Sequence, residues 1–235
     1  NKILAEVLNH LNKKYTLSIM DIDGGEKTNA IPREAVALLA VKLEDENVSD
    51  FEKLAKLAFE NVTKDFKIID KNPVIELKNQ GKMSISNTNA VISFFHEFSN
   101  GVIAMSKDIE GLVETSINLG VIKTENKDGK INIKVQSLPR SSVNKSLEKL
   151  LNDVKELSEK YEVAVKINSP YPSWEYRKDS KIRDIVVNSF KKITGKDPEI
   201  KAIHAGLECG VFDNNMENVD IVSIGPNIYG AHTPE

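Results

Sequence analysis

Residues 111–138 read GLVETSINLGVIKTENKDGKINIKVQSL. Polar and apolar residues alternate on both sides of NKDG (126–129), and an Asp-Gly pair between alternating runs is the strongest short-range signal for a β-hairpin. The period-2 pattern puts one face of each strand toward a core and the other toward water. A long antiparallel hairpin at the centre of the chain therefore sets the fold, and the flanking segments supply what covers it.

The pattern upstream switches to a helical period. Ile3, Leu4, Val7, Leu8 and Leu11 share one helical face over residues 2–13. That helix starts without a cap, so the chain is expected to begin inside it. TLSIMDI (16–22) predicts a strand, although Leu17, Ile19 and Ile22 do not alternate evenly. DGGEKTN (23–29) predicts a turn, since paired glycines tolerate positive φ. AVALLAVKL (35–43) is a buried strand or a short helix. Ser49 opens a helix carrying Phe51, Leu54, Ala55, Ala58, Val62 and Phe66. Strands are expected near 74–77 and 83–86. Thr88 or Asn87 caps a helix with Val91, Ile92, Phe95 and Phe98, closed by Gly101.

Downstream, Ser141 or Ser142 caps a helix through Val143, Leu147, Leu150, Leu151, Val154, Leu157 and Tyr161. VAVKI (163–167) predicts one more strand. Together residues 1–168 predict a two-layer α+β domain. NSPYPSWEY (168–176), with prolines and aromatics, is a stiff connector and the expected boundary. Beyond it, Ser180 caps a helix with Ile182, Ile185, Val186, Phe190 and Ile193, ended by Gly195. IKAI (200–203), HAGLECGVF (204–212) and VDIVSIGP (219–226) then predict strand, turn, possible helix and strand, part of a parallel α/β sheet. A parallel sheet needs both faces covered, so residues 169–235 are expected to be an incomplete α/β domain.

Composition bounds the function. The chain has 235 residues, 40% apolar and 29% charged, with a net charge of −3. No basic stripe points to nucleic acid, and no apolar run reaches the ~20 residues a membrane span needs. The single cysteine, Cys209, rules out an internal disulfide and suits a reducing cytoplasm.

The candidate functional residues sit in turns. In IHAGLECG, a Cys209–His204 nucleophile pair lacks a recognisable orienting group. The backbone N–H groups of Ala205 and Gly206 at a helix N-terminus make a better reading, because such groups hold carboxylates and oxyanions. Arg140 in SLPRSS stands between a strand and a helix; it is either solvated or a carboxylate clamp, which its planar guanidinium suits. Asn29 in TNAIPREA either closes a turn on its own backbone or hydrogen-bonds a peptide carbonyl. His232, in the glycine-containing ending SIGPNIYGAHTPE, is by itself an ordinary exposed histidine. No H-x-D, H-E-x-x-H or C-x-x-C motif is present, so no metal site is assembled from sequence.

The motifs NAIPREA, GVIAMSKDIEGLVETSINLGVI, IHAGLECGVF and DIVSIGPNIYGAHTPE resemble the bacterial aminoacyl-histidine dipeptidases. These form the peptidase D, or cytosolic non-specific dipeptidase, branch of the carnosinase-like metallopeptidases. The resemblance covers essentially the whole chain. It implies a lid, or dimerisation, domain at 1–168 and the start of the returning segment of a di-metal catalytic domain at 169–235. It implies a homodimer through the lid and a dipeptide substrate such as Xaa-His. It also implies that His232 is one ligand of a site for two divalent ions, likened to zinc sites, which would bridge and acidify a water. Arg140 and the Ala205–Gly206 turn would grip the dipeptide's free carboxylate, and Asn29 would help polarise the scissile carbonyl. The family's H-x-D pair, Glu-Glu pair, further Asp ligand and lid histidine have no counterpart in this chain, so the general base is expected outside it and the chain alone is expected to be inactive. Two other classes stay open: a stand-alone, non-enzymatic dimerisation module, and an amidohydrolase acting on N-acyl amino acids. Upstream sequence bearing H-x-D would separate the first, and turnover of Ala-His, Gly-Gly and N-acetyl amino acids the second.

Overall fold

The structure is a computed structural model and describes residues 1–43, 47–65, 73–78, 88–127, 130–168, 172–201, 204 and 207–226. The chain divides into two compact units, each made of three stretches: 1–100, 118–138 and 156–164 in the first, and 101–117, 139–155 and 165–235 in the second.

The first unit is a helical layer on an antiparallel sheet. Helices α1 (Lys2–Asn12), α2 (Val48–Asp65) and α3 (Asn89–Glu97) pack together, and the sheet runs β2 (Ala35–Lys42), β1 (Thr16–Gly24), β5 (Val121–Lys127), β6 (Lys130–Gln136). AVALLAVKL is thus a strand. The predicted hairpin is β5–β6, in register from Val121↔Gln136 to Lys127↔Lys130; Asp128 and Gly129 lie outside the described residues. The uneven pattern of the first strand has a physical cause. The register with β2 slips between Ile19 and Asp21, a β-bulge. Without it, Leu17 and Ile19 would share a face with Asp21 and Asp23. With it, Leu17, Ile19 and Ile22 are all buried, while Asp21 and Asp23 are exposed. The core is built from Leu8, Leu17, Ile22, Ile92, Phe95, Leu119 and Ile122, each essentially fully buried. Truncating a buried aromatic such as Phe95 to Ala costs about 3–5 kcal/mol. Phe94 adds edge and tilted contacts to Phe98 and Tyr161.

Side-chain hydroxyls complete the ladder where β5 does not reach. β1 pairs with β5 only at Asp23↔Lys123 and Gly24↔Ile122. Nearer its start, Thr88 Oγ1 accepts from Ile19 N at 3.0 Å and donates to Leu17 O. Thr124 Oγ1 accepts from Ile22 N at 2.8 Å. Thr88 is the N-cap residue of α3 but makes no side-chain capping bond, because its hydroxyl is engaged by the strand. The helix ends at Glu97 with an extended Phe98, so Gly101 does not close it; Gly101 starts a strand instead.

The second unit contains the three-stranded antiparallel sheet β3 (Gly101–Met105), β4 (Val113–Ile117), β7 (Arg140–Ser141). The long strand expected over 111–125 is therefore two strands in two sheets, broken at Asn118–Gly120. Helix α4 (Asn144–Lys160) follows β7, with Ser141 Oγ accepting from Val143 N just before it. Helix α5 (Lys181–Thr194) is capped as expected: Ser180 accepts from Arg183 N, and Gly195 closes it at φ 70°. It buries none of its side chains. Helix α6 (Glu208–Asn215) realises the possible helix, and its Gly210 sits against Pro172, whose carbonyl a Cβ would approach to 2.6 Å.

Three predicted strands are absent among the described residues. Residues 74–77, 163–167 and 219–226 carry strand-like composition but no ladder partner. Val163, Val165, Ile167 and Ile224 are exposed. Strand propensity registers fit to a pleated, half-buried surface and does not itself supply the neighbouring strand. The expected parallel sheet is accordingly not seen among the described residues. Residues 83–86, 202 and 203 lie outside them.

Candidate functional site

Of the five residues singled out in sequence, Asn29 and Arg140 are described; Ala205, Gly206 and His232 lie outside the described residues. Asn29 belongs to the first unit and Arg140 to the second.

Asn29 is exposed at the tip of the turn after Gly24-Gly25. Its position is fixed by its neighbours. Asn118 Nδ2 donates to the carbonyls of Thr28 at 2.6 Å and Ala30 at 3.3 Å, and its Oδ1 accepts from Leu138 N at 3.0 Å. The same junction is held by Asn100 Oδ1, which accepts from Leu119 N. Gly25 is required here. Its φ is +77°, and a Cβ would meet the Gly120 carbonyl oxygen at 2.0 Å.

Arg140 lies directly across from Ser116 in the β4–β7 ladder, and Thr115 across from Ser141. Successive residues face opposite sides of a sheet, so the two pairs serve different purposes. Thr115 and Ser141 share a hydrogen bond at 2.9 Å, while Glu114 accepts from Ser146 at 2.8 Å and from Thr115 at 3.2 Å. The Glu114–Ser146 bond ties the sheet to the start of α4, while Thr115 and Ser141 share one face of the sheet. On the other face Ser116 Oγ lies 2.6 Å from His204 Nε2. Arg140 is half-buried and, among the described residues, forms no ion pair with a carboxylate.

The electrostatics favour an incoming anion. Burial, and then the Arg140 charge, push the His204 pKa below its ordinary value; a backbone hydrogen bond at Val113 opposes them. The imidazole is therefore neutral and has one N–H. The ring's partners are the Val113 backbone and the Ser116 hydroxyl. One guanidinium charge remains, with no carboxylate paired to it among the described residues. Among the described residues, no three His, Cys, Asp or Glu side chains come together to hold a metal ion. Sequence reasoning had considered His204 only as a partner of Cys209 and had not considered Ser116 at all. The signal for Ser116 is its place next to the last residue of β4, visible only once the strand break is known.

Comparison with known proteins agrees with the motifs. Residues 1–67 match the M20 peptidase dimerisation domain. Over 240 aligned residues the chain is 30% identical to the cytosol non-specific dipeptidase of Escherichia coli (strain K12); the alignment takes in 100% of this chain and 48% of that protein. The crystal structure of the aminoacylhistidine dipeptidase from Vibrio alginolyticus superposes with a TM-score of 0.80 and 31% identity, over 100% of this chain and 47% of that one. The chain thus spans about half the length of these relatives. Among the described residues no helix is long and apolar enough to cross a membrane. With the mixed α/β fold and the match across all of its residues, the chain is similar to about half of the cytosol non-specific and aminoacylhistidine dipeptidases, and its residues 1–67 are similar to the M20 peptidase dimerisation domain.

Proposed function

We propose that this chain supplies the lid (1–168) and a returning catalytic segment (169–235) of a cytoplasmic, metal-dependent dipeptidase acting on dipeptides such as Xaa-His, assembled as a homodimer through the lid. The observation that carries this reading is Arg140: half-buried, unpaired with any carboxylate among the described residues, and beside a neutral histidine. A guanidinium so placed is set to receive a carboxylate in bidentate fashion. In the proposal Arg140 and the Ala205–Gly206 backbone bind the free carboxylate of the dipeptide, and Asn29 orients its scissile carbonyl. His232 serves as one ligand of a two-ion site, the ions being zinc, with the remaining ligands and the general base outside this chain. Among the described residues no cluster of His, Cys, Asp or Glu fits a divalent ion, and in the proposal Arg140 and Asn29 bind and orient the substrate. The 235 residues by themselves are expected to bind dipeptides without hydrolysing them.

The test is Arg140→Lys in the complete enzyme. A point charge in place of the planar fork should reduce kcat/KM by an amount equivalent to about 2–4 kcal/mol. Retention of kcat/KM within about twofold, a change near the tolerance of such measurements, would show that Arg140 is only solvated.

A further inference from the structure

Asn100 is followed by Gly101, the one Asn-Gly pair in the sequence. Asparagine is a thermolabile residue because its side-chain carbonyl carbon can be attacked by the next backbone nitrogen, and a glycine in that place leaves the nitrogen unshielded. Three features of the structure favour the attack. Asn100 Oδ1 accepts from Leu119 N at 2.9 Å. Asn100 is exposed, and its Nδ2 forms no hydrogen bond among the described residues. Gly101 is exposed as well, at φ +91°, with no atom within 4 Å of where a Cβ would stand. We propose that Asn100–Gly101 is a self-modifying site, at which the folded chain converts the asparagine amide to aspartyl and isoaspartyl carboxylates.

The atoms balance with water as the only co-reactant. The Gly101 nitrogen gives up its proton to solvent and bonds to Asn100 Cγ. Negative charge then gathers on Oδ1, where the Leu119 N–H already points; a backbone donor so placed stabilises a developing oxyanion. The Cγ–Nδ2 bond breaks, and ammonia leaves directly into solvent with a proton taken from water. The cyclic imide that remains is opened by one water molecule. Opening at the side-chain carbonyl gives aspartate, and opening at the main-chain carbonyl gives isoaspartate.

Asn118 provides the contrast in the same junction. Its Nδ2 is held by the Thr28 and Ala30 carbonyls, and the residue after it is leucine. Its leaving group is thus tethered and its nucleophile shielded. At Asn100 the product would also matter to the fold. The Asn100–Gly101 bond is where the chain passes from the first unit to the second, one residue before β3 is under way. Isoaspartate adds a methylene to the backbone there, and either product brings a negative charge to the turn.

The experiment incubates the 235-residue chain at neutral pH, folded and, in parallel, unfolded in urea. Hydroxylamine, which splits a chain at such an imide, is added to samples drawn over time. The folded wild type should yield fragments 1–100 and 101–235, and peptide mapping by mass spectrometry should find the new carboxylate at position 100 before any other asparagine. The rate should match or exceed that in urea, or fall below it by less than about tenfold. Asn100→Gln, which would have to close a larger ring, should give neither fragment while keeping the wild-type circular dichroism spectrum. If the Leu119 N–H serves only to anchor the side chain, closure is hindered by the fold instead. A folded chain slower than the unfolded one by more than about tenfold, or one that converts another asparagine first, would overturn the proposal. Fragments that persist in Asn100→Gln would overturn it equally, since the cut would then lie elsewhere.

Discussion

Asn118→Ala should cost more than any exposed substitution in this chain, although Asn118 is only half-buried. The side chain makes two good hydrogen bonds, to Thr28 O at 2.6 Å and from Leu138 N at 3.0 Å, and a third, longer one to Ala30 O at 3.3 Å. Each sound bond contributes about 1 kcal/mol net, and the backbone groups left behind lose part of their solvation as well. The expected loss is about 2–3 kcal/mol, obtained from urea unfolding followed by circular dichroism, with the slope unchanged. Exchange of the Leu138 amide should accelerate in parallel. Asn118→Asp separates the two ends of the side chain. It keeps the acceptor for Leu138 N but sets a carboxylate against the Thr28 and Ala30 carbonyls, so it should be worse than Ala at neutral pH and should recover as the carboxyl is protonated. A change below about 0.5 kcal/mol for Asn118→Ala, the size of an ordinary surface effect, would refute the assignment of this residue as the holder of the Asn29 turn.

The remaining predictions concern backbone, charge and assembly. Gly25→Ala should destabilise by at least about 2 kcal/mol, since left-handed strain and contact with the Gly120 carbonyl add; Gly111→Ala, also at positive φ but with open space around it, should show about 1 kcal/mol from strain alone, both read from urea midpoints. The Asp220 carboxyl is held below its ordinary value of 3.8 by the Ile182 N–H and then by the Ser180 hydroxyl. A depressed folded pKa means stability that is present above the ordinary value and is lost as pH falls through the lower folded value. Protection of the first α5 amides, with the intrinsic exchange rate divided out, should therefore fall below about pH 3.8 in the wild type, and Asp220→Asn should make that protection indifferent to pH in that range. Light scattering at tens of micromolar should give a two-fold dimer rather than a monomer, as isologous association through a dimerisation domain requires.

Local patterns were legible in the sequence; partners were not. The helical periods of 2–13, 48–65, 143–160 and 180–195 depend on one face of one element, and each became a helix close to its expected limits. Asp128-Gly129 likewise named the β5–β6 hairpin, since a turn is a local event. The break at Asn118–Gly120 was hidden because the alternation of polar and apolar residues runs on through it, while the bonds that enforce it come from Asn1, Asn100, Thr28 and Leu138, distant in sequence. The bulge at Met20 was visible as a faltering alternation, without the register that explains it. Arg140 was legible as a candidate from its residue type and its place after a run of alternation. Its neighbour His204 was not, because what matters there is a contact across 88 residues.

The three-stretch construction of each unit governs how the chain can be made and divided. A ribosome releases residues in order, and the first unit is not complete until residue 164 has emerged. By then stretches 101–117 and 139–155 of the second unit are already out and must be parked while 118–138 finds β1. Neither unit can be released by one cut of the polypeptide; expressing either alone would require rejoining distant ends. Each excursion adds a loop whose closure costs entropy before its contacts form. Formation of the two units is thereby coupled through the order of the chain, whatever their individual stabilities.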